Sequence, residues 1–403
     1  MIRAGLATSL AAVPAREHPR ALLALDFIKR RYRVGNVYYP ALRNIPGFSF
    51  ARSSTKYAHN RDGLAIPYAS GELAFSDRGL SIEWSTQNLA LYSRDMTNAV
   101  WTASNVTTAQ DVTGLDGIAN SATRLTSTAG NGTVLQAITA ASLLYGYSVW
   151  LKRISGTGNI DLTLDNGATW TNKTLTSEWT QVAISQTLAN PTVGIRIVTS
   201  GDVIAVDGNC CYIRVSNDTS ATSLIATTSA AVTRAADVLS IRAPFAWLGT
   251  GGKVEAITLL AIVSAGQKGP NLQQFTHICV STGATNDQIE IASSSSGTGF
   301  VNCSAGGSLQ AGITFGSAMP EAPQTWRLAG SFEPNSFGGA NAGTLATRDT
   351  SGSLPTGLDR INLGSGATGA AGHWYLERLV AFPFAMTDSQ LVGLTKAVPL
   401  GWQ

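Results

Sequence analysis

Residues able to do chemistry are scattered in this sequence. The four histidines, His18, His59, His277 and His373, stand far apart, and no HExxH frame joins any of them to a second metal ligand. No metal site and no cofactor is therefore expected. Gly364-Ser365-Gly366 is a fragment of a nucleophile elbow without the strand–turn–helix context that exposes such a serine. Gly251-Gly252-Lys253 lacks the rest of a phosphate loop and reads as a turn. Carboxylates come closest to a reactive set. Asp161 and Asp165 fall on one face of a predicted strand, with Asp202 and Asp207 on strands nearby. Two carboxyl groups at the right separation hydrolyse glycosidic bonds, but acids at turns and sheet edges have a simpler use in ending strands and protecting edges. That second reading is adopted, and no enzyme is expected. Asp/Asn-rich turns are able to hold calcium, yet no EF-type spacing occurs.

Aromatic residues offer another kind of chemistry. Sugar rings stack on exposed Trp or Tyr while Asn, Asp and Arg supply directional hydrogen bonds. Trp170 follows the tight-turn sequence Asp165-Asn166-Gly167 and is flanked by Thr169 and Thr171. Trp170, Asp165 and Asn166 are the expected ligand-binding residues.

These side chains need a scaffold, and the composition points to a β-rich one. The chain has 403 residues, enough for two or three domains, with 41 glycines and only 13% charged residues. Its formal net charge of +3 gives no reason to expect nucleic acid. One basic cluster, Lys29, Arg30, Arg31 and Arg33 with Arg43 and Arg52, reads as a solvated or salt-bridging face, or else as a dock for an acidic partner. Adjacent Cys210 and Cys211 point to opposite faces of a strand and cannot bridge without strain. Cys279 and Cys303 fit a cross-strand pair or free buried thiols; the second is expected, which suits folding in a reducing cytosol. Residues 1–15 carry only a weak signal-peptide pattern and are expected as a small-residue arm or short helix. No apolar run is long enough for a membrane-spanning helix.

Three units are expected. Residues 1–85 hold short extended pieces broken by Pro40, Pro46-Gly47, Asp62-Gly63 and Pro67, too little to bury a core alone, so they pack on a neighbour. The run Ala21–Ile28 fits a helix or a buried strand equally, and Phe48–Arg52 alternates as an edge strand does. Residues 86–240 hold eight short alternating strands: Ala122–Thr126, Thr133–Ala137, Tyr145–Lys152, Ile160–Leu164, Thr180–Ala183, Val193–Val198, Val203–Val206 and Tyr212–Val215. Residues 241–403 add Val254–Val263, Thr325–Phe332 and Gly372–Phe382, then a short helix opened by a capping box, Thr387 with Gln390. The fold class is mainly β: tandem antiparallel β-sandwich or jelly-roll domains behind an N-terminal docking segment.

Three stretches carry a resemblance. Phe50-Ala51-Arg52-Ser53-Ser54, Asp62-Gly63-Leu64 and Gly79–Glu83 lead into Asn88-Leu89-Ala90-Leu91-Tyr92-Ser93-Arg94-Asp95. A module then runs through Trp101 and Trp150 to Thr233-Arg234-Ala235-Ala236-Asp237. Leu358–Gly364, Gly372–Phe382 and Thr387–Leu394 close the chain. In this order they resemble bacteriophage tail-fibre and head-spike proteins, with a carbohydrate-binding-like jelly roll followed by a concanavalin-A-like (laminin-G-like) domain. The usual extended run before Thr233-Arg234 is altered here to Ser223-Leu224-Ile225-Ala226. The resemblance implies a virion protein assembled in the host cytoplasm, a homotrimer attached to other virion proteins through its N-terminal segment and binding a host-surface glycan. It also implies that Trp101, Trp150 and Trp179 belong to the core. A glycan depolymerase on the same scaffold and a purely structural head-decoration or baseplate connector are the alternatives.

Overall fold

The run Ala21–Ile28 resolves as the strand Leu23–Asp26, with Leu23 and Leu25 fully buried. The computed structural model describes residues 21–214, 221–242, 255–265, 275–293, 298–318, 324–365 and 373–396. The expected arm at 1–15, Gly251-Gly252-Lys253 and Gly366 lie outside these residues. Alternating side chains and Gly/Asn turns give almost nothing but antiparallel strands, as the composition predicts.

Strand Leu23–Asp26 is not at an edge. It pairs with Trp374–Phe382 on one side and Arg31–Val34 on the other, inside a ten-stranded sheet. Gly79–Ile82 also pairs with Trp374–Phe382. Phe48–Ala51 is an edge strand as expected, closing a seven-stranded sheet beside Val238–Arg242. One core fills the space between these two sheets. It packs Leu23, Leu80 and Ile82 with Leu259, Ile361 and Leu379. Residues 21–82 therefore do pack on a neighbour: most of their strands join the distant 238–382 stretch, while the strand pair Lys56–His59 and Ala65–Tyr68 packs on the next module. They are not a segment set apart from the C-terminal sandwich, because their strands complete both of its sheets. The closing helix Asp388–Thr395 keeps its expected Thr387–Gln390 capping box and lays Leu391 on the outer face of the ten-stranded sheet, against Leu260, Ile262 and Ala329.

The second sandwich is inserted between these two halves. Its ends, Thr86–Asn88 and Val232–Arg234, pair antiparallel, so the chain enters and leaves side by side. Two five-stranded sheets enclose a separate core that includes Tyr147, Val149, Leu162, Ile195 and Val206. The expected strands Val203–Val206 and Tyr212–Val215 are one element, Val203–Ile213. Asp207-Gly208-Asn209 has turn chemistry, but the structure bulges there instead of turning: the pairing register with Leu143–Ser155 shifts beside it and Gly208 takes φ 62. Cys211 faces this core while Cys210 packs with Tyr212 and Ile225 on the opposite side; all four cysteines are buried and none is in a disulfide.

Candidate functional site

The motif residues converge on the seam between the two sandwiches. Asp237 accepts hydrogen bonds from Arg52 Nη1 (2.8 Å), Lys56 Nζ (2.6 Å) and the Glu83 backbone N–H (2.9 Å). Glu83 Oε2 lies 2.9 Å from Arg234 Nη1 and 3.6 Å from Lys56 Nζ, and accepts from Ser223 Oγ at 2.7 Å. The five charged side chains are 0–1% exposed. Three cations face two anions, and backbone carbonyls offset the excess: Arg52 donates to Ser54, Tyr68, Ala69 and Glu72, Lys56 to Ser81, and Arg234 to Trp84. Burial works to raise the Glu83 pKa, but Arg234, then His373 and Lys56, hold it well below the usual carboxylate range. These residues fasten the insertion to its host; each is consumed by structure and none is available to a substrate.

Asn88 and Arg94 act likewise inside the insertion. Asn88 bonds to Asn209 O, Ile225 O and the N–H groups of Ala90 and Cys211. Arg94 forks onto Asp207, with both contacts at 2.8 Å, and reaches Asp116 at 2.6 Å.

Beside the seam lies a cleft of about 460 Å³. The insertion supplies Trp150, Trp179, Thr180 and Gln181; the host supplies Tyr57, His59, Asn60, Asp77, Arg78 and Tyr375, with His373. A small apolar floor of Ala65, Leu115 and Leu224 supports Tyr57, Trp150 and Trp179, which stay half-buried. His59 leans on Trp150 with ring centroids 4.8 Å apart, and the Arg78 guanidinium stands 5.5 Å from the Tyr375 ring centre. Burial lowers the pKa of His59, with Arg78 adding to it, and burial also lowers that of His373 against the pull of Glu83. His373 Nε2 stands 3.0 Å from Glu83 Oε1, and the exposed pair Asp77–Arg78 balances its own charge at 4.0 Å. Several half-buried aromatic surfaces with amide, carboxylate and guanidinium groups around them fit a polar, ring-bearing ligand.

The expected ligand residues lie elsewhere, on the turn that follows strand Ile160–Thr163 of the inserted sandwich. Asn166 (φ 60) and Gly167 (φ 83) form the predicted turn. Asp165 belongs to that turn: Oδ1 accepts from Thr163 Oγ1 and Thr169 N, and Oδ2 from Gln186. Slight burial raises its pKa, but these bonds, Thr169 first, bring it down to about 2. Trp170 is half-buried, with the Arg196 guanidinium 4.5 Å from its ring centre and Arg196 itself tied to Asp161 at 2.7 Å. Arg196 thus stands over a ring that keeps part of its surface in solvent. The other carboxylates are also committed singly, Asp202 to Arg153 and Gly158 N, Asp207 to Arg94. The basic cluster divides: Arg33 is buried on Ala21 O and Gly35 O, Arg52 joins the seam, and Arg30 and Arg43 stay at the surface. Trp101 is core as the resemblance implied, its Nε1 donating to Leu91 O, whereas Trp150 and Trp179 line the cleft.

Sequence reasoning passed over Tyr57, Arg78 and Tyr375 and set His59 aside as an isolated histidine. The one available signal was that Tyr57 and His59 sit on the short strand Lys56–His59 before the Asn60-Arg61-Asp62-Gly63 turn and Arg78 in the Asp77-Arg78 turn, whereas Tyr375 lies on the long strand Trp374–Phe382. Among the described residues no group of His, Cys, Asp and Glu is placed to hold a metal ion, and no helix is long and apolar enough to cross a membrane.

No family model and no curated protein sequence matches the chain. Partial structural likenesses exist. The CBM40 domain of the Ruminococcus gnavus IT-sialidase bound to α2,3-sialyllactose shares 14% identity over 36% of this chain and 83% of that one, at a TM-score of 0.30. The NanB sialidase of Streptococcus pneumoniae shares 14% over 40% and 27%, at 0.32. The binding domain of botulinum neurotoxin DC in complex with rat synaptotagmin II shares 11% over 42% and 40%, at 0.33.

Proposed function

We propose that this chain is a non-catalytic glycan-binding protein that takes a short saccharide into the cleft between its sandwiches. The cleft itself carries the reading: Trp150 and Trp179 from one sandwich and Tyr57 and Tyr375 from the other surround a volume of about 460 Å³, with Asn60, Asp77, Arg78 and Gln181 beside them. Two sandwiches held by a buried ionic seam keep such walls in place, so binding requires little ordering. The absence of catalysis is part of the proposal, supported by the separate commitment of Asp161, Asp165, Asp202 and Asp207 to arginines and turn amides. The setting is a fibre, spike or adhesin of a tailed phage or phage-like particle, by the motif order described above. There, oligomerisation as a trimer multiplies a weak single-site affinity through effective concentration.

The test is calorimetry and pull-down on host cells and extracted envelope polysaccharide, with reducing-end release assayed in the same tube. Binding without release, lost in Trp179→Ala, supports the proposal. Release of reducing ends would establish a depolymerase. No binding to any envelope fraction would refute the reading and leave a structural connector.

A further inference from the structure

A second pocket, of about 340 Å³, lies on the host sandwich and shares no lining residue with the cleft. Arg30, Tyr32, Arg43, Tyr68, Glu72 and Phe75 are among its walls. Arg30 is held rather than free. Its backbone sits in the left-handed region at φ 55, which a long side chain rarely adopts, and its guanidinium lies 3.4 Å from the Phe75 ring centre. A strained non-glycine residue that fixes a cation at a pocket wall is a device worth a function. Arg43 projects from the short turn Leu42–Asn44, exposed, and neither arginine has a carboxylate partner among the described residues. Tyr32 is 2% exposed and its buried hydroxyl makes no well-formed hydrogen bond. Burial keeps that phenol protonated, raising its pKa to about 12 although Arg30 stands close enough to oppose the rise. The one acid in the wall, Glu72, directs Oε2 to the Ala69 N–H at 3.0 Å.

We propose that this pocket binds an oxyanion, a carboxylate, sulfate or phosphate group of a small ligand, between Arg30 and Arg43. Two guanidinium forks against a single committed carboxylate leave net positive charge, and the fork geometry matches planar and tetrahedral oxyanions. The group is either a substituent of an acidic sugar or a free inorganic ion; both present the same oxygens. The inference is independent of glycan binding in the cleft.

Calorimetry and thermal unfolding of the full chain against glucuronate, sulfate and phosphate, with chloride holding ionic strength constant, test it. The expected result is saturable binding of at least one of the three, weakened roughly tenfold in Arg43→Gln and in Arg30→Gln. Arg43 is exposed, so its variant keeps the fold. A response to glucuronate points to an acidic sugar, and one confined to sulfate or phosphate to an inorganic ion. No saturable response, or one unchanged in Arg43→Gln, overturns the proposal. So does a response abolished in Trp179→Ala, which would place the anion in the cleft.

Discussion

Replacing Asp237 by Ala should destabilise the host sandwich more than any single surface change. The carboxylate is 1% exposed and receives Arg52, Lys56 and the Glu83 N–H. Removing it leaves two buried cations facing each other with one anion fewer. Breaking a buried ion pair from one side costs about 3–5 kcal/mol, because the orphaned charge keeps its desolvation penalty. For a domain of this size that corresponds to a fall in midpoint of roughly 6–20 °C. Calorimetry or urea unfolding followed by tryptophan fluorescence reads it. The decisive comparison is the double variant Asp237→Ala/Lys56→Met. Removing one orphaned cation should recover part of the loss, so the two changes are not additive. A loss below about 1 kcal/mol for Asp237→Ala, or strict additivity, would refute the view that these side chains form one coupled buried cluster.

Acid should loosen the protein before its carboxylates titrate. His277 is fully buried, 3.1 Å from Ser293 Oγ and edge-on to Trp374 at 4.9 Å, and burial pulls its pKa from 6.5 to about 3. Between those pH values the unfolded chain binds a proton that the folded chain refuses, so stability present above pH 6.5 is lost as pH falls toward 3. Urea midpoints at pH 7.5, 6 and 5 should fall steadily, and less steeply in His277→Gln; equal slopes would count against it. Below the ordinary carboxylate range the loss should steepen, because the lowered pKa of Glu83 makes its contribution one that disappears on acidification. Deleting residues 21–85 should abolish the unfolding transition of the host sandwich while the inserted sandwich keeps its own. Circular dichroism and calorimetry of the truncated chain would show two intact transitions if the segment were a separable attachment arm.

Much of the local structure is legible in the sequence. Alternation in Tyr145–Lys152 marks a strand because successive side chains must point to opposite faces, and the structure extends it to Leu143–Ser155. Asn166-Gly167 marks a turn because both residues tolerate positive φ, and both have it. Thr387 and Gln390 mark a helix start because each satisfies the other's backbone N–H. The bulge at Asp207-Gly208-Asn209 shows the limit of such reading. The local signal for a turn is genuine, but Arg94 takes Asp207 and Ser93 takes the Asn209 amide, and the strand runs through.

What the sequence by itself determined is the class of fold, the positions of most strands and four of the charged residues of the seam, Arg52, Glu83, Arg234 and Asp237, which it marked as motifs without saying what they join; it did not mark Lys56. Tertiary structure alone decided that Leu23–Asp26 lies beside Trp374–Phe382, that the module at 86–234 is an insertion, and that Tyr57 and Tyr375 meet Trp150 and Trp179 across one cleft. The reason is physical. A turn or a cap is settled by neighbours a few residues away, whereas the pairing of Leu23–Asp26 with Trp374–Phe382 and the Arg52–Asp237 and Glu83–Arg234 ion pairs join residues more than 150 positions apart. Any alternating strand presents the same backbone donors and acceptors as any other. Which two meet is chosen by the packing of the whole core and by the few buried charges that tolerate only one arrangement.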